Sequence, residues 1–226
     1  MSPESNALRD RIHANVTAIQ RRMADAAQRA GRAPEDVTLI AVTKYVGLPE
    51  AEVLVDLGVT DMGENRLPDA LAKVAPLHDN VRWHMLGNVQ RRKLKDVVQW
   101  FDTVDAIDRM AVAEALQRRC EDADRTMDAL LEVNVSGEES KHGFVPASVP
   151  DALRDMAVFD RVRINGLLTM APYEADEVSI RTYFGELRTI ARDNGLKELS
   201  MGMTNDFELG IEEGATQVRI GRALFE

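Results

Sequence analysis

Strand-like apolar runs recur at 37–43, 58–63, 81–86, 101–105, 129–135, 163–168, 197–201 and 216–220, and helical patterns lie between them. Those patterns fall near 49–57, 66–76, 89–99, 108–124, 147–158, 176–194 and 206–213. Strands joined through helices pair in parallel, because a parallel crossover needs about a helix's length of chain. Eight such strands are the number that closes a (β/α)₈ barrel, and a doubly wound open sheet is the second arrangement the rhythm allows. Spacing favours the barrel: no segment reads as a separate domain or a Pro/Gly-rich linker, so residues 1–226 are read as one α/β domain. Before the first strand, Leu8, Ile12, Val16, Ile19, Met23, Ala26 and Ala30 form one apolar stripe at helical spacing, and Gly31 is a natural stop. Residues 1–31 are therefore expected as an extra helix packed on the barrel. Only Gly221 to Glu226 follow the last strand, so a shortened final helix is expected, with the N-terminal helix covering part of the outer surface.

Composition narrows the function classes. A net charge of −10 argues against a general nucleic-acid surface, which needs a basic footprint. The single cysteine, Cys120, excludes an intrachain disulfide framework; it falls in a helical pattern and reads as a packing residue in a reducing compartment. The N-terminus lacks the apolar core of a signal peptide, and no apolar run approaches the roughly 18 residues of a membrane span. A cytoplasmic location is the expectation. The four histidines, His13, His78, His84 and His142, show no metal-ligand spacing.

In a barrel, functional groups collect at the C-terminal ends of strands. Those ends supply Lys44, then Gly63-Glu64-Asn65, His84 with Gly87-Asn88, and Asn134-Val135-Ser136-Gly137 with the polar loop Glu138 to Gly143. They continue with Thr169-Met170, Ser200-Met201-Gly202-Met203-Thr204 and Arg219-Ile220-Gly221-Arg222. A lysine at a strand exit is either an edge residue with a solvated head or an amine held for Schiff-base chemistry by partial desolvation. The last two loops offer hydroxyls, glycines and backbone N–H groups where such barrels cradle phosphate, although Ser200, Thr204 and Asn205 could simply cap the next helix. Arg219 alternates with Val218 and Ile220; if those face the helices, Arg219 points inward and needs an acceptor, either a ligand nitrogen or a carboxylate such as Glu64. Arg91, Arg92, Lys93 and Lys95 form a basic helix start that reads as a solvated face or a site for an anionic partner.

These stretches together resemble the pyridoxal phosphate (PLP) homeostasis proteins, which are related to the N-terminal barrel of alanine racemase (PLP fold type III). The resemblance is carried by 41–44, 63–65, 83–90, 133–141, 166–170, 199–206 and 218–225, in order along nearly the whole chain. It implies a TIM barrel in which Lys44 holds PLP covalently, and Ser200, Thr204, Gly221 and Arg222 hold the phosphate. Arg219 would face the pyridine nitrogen, with Asn65, His84 and Met203 lining the pocket. Thr43 and Thr204 stand where serine is common and keep the hydroxyl. Asn88 stands where the family usually has histidine, and Tyr45-Val46-Gly47 replaces a more basic stretch.

The expected function is a PLP carrier or buffer in PLP homeostasis, a monomer serving PLP-dependent client enzymes without turnover of its own. The alternatives are a PLP-dependent amino-acid racemase and a cofactor-free Schiff-base barrel of the aldolase type. Racemisation through two bases needs acid/base groups on both faces of the substrate adduct. Tyr45 and Tyr173 are the only tyrosines near strand ends, and neither is an obvious second base. An aldolase-type barrel leaves Arg219 poorly explained.

Overall fold

The computed structural model describes residues 3–138 and 141–226; Glu139 and Ser140, part of the polar loop after the fifth strand, lie outside the described residues. Eight parallel strands close in chain order into a barrel: β1 (Thr38–Val42), β2 (Asp61–Glu64), β3 (Arg82–Met85), β4 (Thr103–Ile107), β5 (Met127–Glu132), β6 (Val162–Leu168), β7 (Glu198–Ser200) and β8 (Gln217–Ile220). β1 closes the ring, with Ile40 opposite Asp61 of β2 on one side and Arg219 of β8 on the other.

Outside the strands lie α1 (Pro3–Arg29), α2 (Leu48–Asp56), α3 (Leu71–Leu77), α4 (Leu94–Trp100), α5 (Met110–Asp122), α6 (Val149–Met156), α7 (Glu177–Asp193) and α8 (Phe207–Glu212). After β8 comes a short 3₁₀ helix, Arg222–Leu224. α1 packs against α2, α8 and that 3₁₀ helix, and so fills the place outside β8 and β1 that a closing helix would take. Its stripe is buried at Ile12, Val16, Ile19, Met23, Ala26 and Ala27. Gly31 ends it at φ 67°, and Arg32 N–H returns to Ala27 O at 2.9 Å, which satisfies a helix-end carbonyl. Asn15 Nδ2 donates to Glu226 O at 2.9 Å, tying the helix to the far end of the chain.

Strand alternation sorts the side chains. Trp83, Met85, Val104, Leu131, Leu167, Val218 and Ile220 join the apolar cluster shared with the helices. Their alternates turn inward, where His84, Asp105, Ser200, Gln217 and Arg219 are all buried. The barrel therefore encloses a mixed core, these polar groups together with Ile40, Leu130 and Leu168, inside an apolar shell.

Several boundaries differ from the sequence expectation. The fifth strand ends at Glu132, because Asn134 Oδ1 accepts from Gly137 N–H at 3.1 Å and turns the chain out of the ladder. The third helical pattern starts at Leu71 rather than 66, since Pro68 lacks an N–H and disfavours helical geometry just before it. The fourth strand runs two residues later than expected, over Thr103–Ile107, which places Asp105 at its centre rather than at its end.

Candidate functional site

A cavity of 410 Å³ opens at the C-terminal mouth of the barrel. Lys44, Asn65, Met203, Thr204, Arg219, Gly221 and Arg222 line it, together with Val42, Tyr45, Leu86, Tyr173 and Asp206. Two sequence-predicted residues do not line it. Ser200 and His84 are buried on the inward faces of β7 and β3, beneath the cavity.

Of the two sequence readings of Lys44, the structure has the solvated head and not the partly desolvated amine. Lys44 lies two residues beyond β1 and is exposed, in a turn that Val46 N–H closes onto Thr43 O at 3.1 Å. Its Nζ lies 5.0 Å from the centre of the Tyr45 ring, a cation–π arrangement. The turn rests on a buried cluster. Lys73 Nζ reaches Thr43 O at 2.6 Å, Val46 O at 2.9 Å and Glu64 Oε1 at 2.6 Å, and Thr43 Oγ1 donates to Glu64 Oε1 at 2.6 Å. Glu64 is thus the partner of Lys73, and the alternative in which it neutralises Arg219 does not occur.

Arg219 points inward, 6% exposed, because Val218 and Ile220 take the apolar face. Its Nη1 donates to Ser200 Oγ at 2.8 Å and its Nη2 to Thr169 O at 2.9 Å. Burial pushes the guanidinium pKa down, while the carboxylates of Asp105, Asp206 and Glu132 act the other way. The Ser200 hydroxyl thus fixes the arginine head that faces the cavity.

The two loops after β7 and β8 present backbone donors. Among the described residues, the N–H groups of Thr204, Asn205, Gly221 and Arg222 meet no protein acceptor. Asp206, not Ser200, Thr204 or Asn205, stands at the N-cap of α8, and its Oδ1 takes the Met203 N–H at 2.6 Å. Burial raises the Asp206 pKa against that hydrogen bond. Gly202, at φ 98°, is required here, since a Cβ would fall 2.8 Å from Phe207 Cα. Across the mouth, Asn65 Oδ1 is buried with no partner.

His84 is held from both sides, Nδ1 to Asp105 Oδ2 at 2.8 Å and Nε2 to Asp61 Oδ1 at 3.0 Å. Burial opposes its charge, but Asp105 and Asp61 outweigh it and raise the pKa to about 9. The ring is therefore a buried cation between two carboxylates. Glu132, another carboxylate at the mouth, accepts from Asn88 Nδ2 at 2.9 Å, and burial raises its pKa. Sequence reasoning does not single out Lys73, Asp105 or Glu132. Lys73 falls in a helical pattern that reads as surface. Asp105 and Glu132 sit in or beside apolar runs, where alternation with buried neighbours is the one signal that could find them.

Among the described residues no group of three or more His, Cys, Asp or Glu side chains could hold a metal ion, and no helix is long and apolar enough to cross a membrane.

The closed barrel of eight parallel strands is the fold of the family described as alanine racemase, N-terminal domain, which matches residues 14–226. The chain belongs to that family, and within it to the pyridoxal phosphate homeostasis proteins. It is 36% identical over 217 residues to the protein of that name from Pseudomonas aeruginosa, covering 95% of this chain and 94% of the relative. The protein of that name from Aquifex aeolicus is 34% identical over 218 residues, covering 93% and 95%. The solved structure of PipY from Synechococcus elongatus PCC7942, with PLP bound, matches with a TM-score of 0.81 at 32% identity, covering 90% of this chain and all of that one. An alanine racemase from Clostridium difficile, 13% identical with a TM-score of 0.74, shares the fold, and the chain spans 56% of its length.

Proposed function

We propose that this chain binds PLP in the mouth cavity and holds it reversibly through the Lys44 amine, acting as a carrier or buffer of PLP without catalytic turnover. The observation that carries this reading is the shared cavity: Lys44, the inward Arg219 and the free N–H donors of two loops line one wall system. The orphaned Asn65 Oδ1 there calls for a donor from a ligand. The relative PipY, solved with PLP, supports the choice of ligand.

PLP would supply an aldehyde, and Lys44 would hold it through its amine by a reversible condensation. The remaining work belongs to the chain. Thr204, Gly221 and Arg222 would receive the phosphate, through backbone N–H groups and a guanidinium. Arg219 keeps N–H donors beyond those given to Ser200 and Thr169, and would direct one at the pyridine nitrogen. Such a donor would keep that nitrogen unprotonated and weaken the ring as an electron sink, which would favour binding over amino-acid chemistry. Met203 and Asn65 would flank the ring, with Ser200 and His84 supporting from below. Tyr45 and Tyr173, 72% and 89% exposed, are poorly placed for the second base a racemase needs.

Residues 1–226 would act as one PLP-binding barrel, monomeric and cytoplasmic, with PLP-dependent enzymes as recipients. Absorbance spectra of the protein titrated with PLP test the reading. Wild type is expected to develop a visible band that Lys44→Ala abolishes; no band, or an equal band in the variant, would overturn it. Incubation of the loaded protein with L-alanine is expected to give no D-alanine, and clear turnover would replace the carrier reading with the racemase.

A further inference from the structure

We propose that Lys73 is a positioning residue that sets where Lys44 can reach, an inference that rests on reading Lys44 as the PLP-bearing amine. Among the described residues, Lys44 Nζ has no hydrogen bond or ion pair, and its one contact of this kind is the Tyr45 ring. Lys44 also lines two cavities, the mouth cavity and a second one beneath its turn, which Lys73, Glu64 and Arg66 share. The Tyr45 ring belongs to the same turn, so among the described residues no hydrogen bond or ion pair from outside the turn decides which way the amine points. The backbone of the turn decides it.

That backbone is gripped at both ends by one buried ammonium. Lys73 is 6% exposed, and its Nζ takes Thr43 O and Val46 O, the carbonyls on either side of Lys44-Tyr45. The remaining N–H direction goes to Glu64 Oε1, and that carboxylate holds the Thr43 hydroxyl as well. A buried ion pair is a weak source of stability, and apolar replacements of such pairs are often neutral. Thr43 is fully buried and its carbonyl also takes the Val46 N–H, so the ammonium and the turn's own hydrogen bond hold the same atom. What the cluster supplies is a fixed orientation of the turn relative to β2 and α3, and so a fixed root for the Lys44 side chain.

Pyridoxamine phosphate tests this directly. It keeps the ring and phosphate of PLP but carries an amine in place of the aldehyde, so it cannot condense with Lys44. In Lys73→Met, PLP affinity is expected to fall about tenfold or more, while pyridoxamine phosphate binds as in wild type. Equal losses for both ligands, or no loss for PLP, overturn the proposal. If the single variant fails to fold, Lys73→Met combined with Glu64→Gln removes both buried charges and is judged by the same criterion. A second readout needs no ligand. The rate of acylation of Lys44 by acetic anhydride, taken relative to exposed Lys197 and read by mass spectrometry, is expected to change in the variant, and an unchanged ratio overturns the positioning role. Failure of the PLP reading itself shows elsewhere, as a wild type with no Lys44-dependent band.

Discussion

Arg219 finds its acceptors in a hydroxyl and a carbonyl rather than in a carboxylate, and this leaves its charge available to the cavity. Had Glu64 paired with it, the guanidinium would be neutralised and turned aside. Instead Glu64 serves Lys73, and the carboxylates that act on Arg219, from Asp105, Asp206 and Glu132, do so without an ion pair among the described residues. Ser200 is the hinge of this arrangement. Ser200→Ala is expected to leave Nη1 buried and unpaired at a cost of about 1–3 kcal/mol, read from urea denaturation, and to weaken PLP retention with the Lys44 band still able to form. Equal stability of the two proteins would show that Arg219 does not depend on Ser200.

The loops between elements set the shape of the mouth. Gly87 follows β3, and a Cβ there would meet Asn65 O at 2.4 Å, a backbone atom that cannot swing aside. Gly87→Ala is expected to displace the loop carrying Asn65, to destabilise the fold by about 1–3 kcal/mol, and to lower PLP affinity while circular dichroism is unchanged. Full PLP affinity in that variant would show that the Asn65 loop is not part of the site. The strand–helix rhythm makes the barrel and its eight strand ends legible, and the Val218-Arg219-Ile220 alternation marks the inward arginine. Period-2 alternation says which residues share a face but not how deep each lies. Ser200 and His84 therefore read as cavity wall in the sequence, whereas they stand beneath it in the fold. The role of Lys73 is out of reach for a different reason: its burial depends on two carbonyls 27 and 30 residues away in sequence.

Taken whole, the molecule is an apolar shell around an interior that carries charge, and its stability should carry the mark of that charge. The His84 pKa, about 9 in the fold, exceeds its ordinary value of 6.5. A raised folded-state pKa gives stabilisation that is complete below pH 6.5 and is lost as pH climbs through about 9. That contribution is on the order of 3 kcal/mol at most. Melting temperature is expected to decline across this window, and Asp105→Asn, which removes one of the two carboxylates holding the imidazolium, is expected to flatten the decline. An equally steep decline in the variant would assign the pH dependence to other groups. The seam between β1 and β8 has a consequence for how the protein is made. Lys44 follows the first strand and Arg219 sits on the last, while α1 docks on α8 and on carbonyls at Leu224 and Glu226. These contacts join segments at opposite ends of the chain, and such non-local pairings form late and slowly. During synthesis the mouth cavity and the full cover of the Ile12–Ala27 stripe thus both wait for the segment from α8 to β8 to join the barrel.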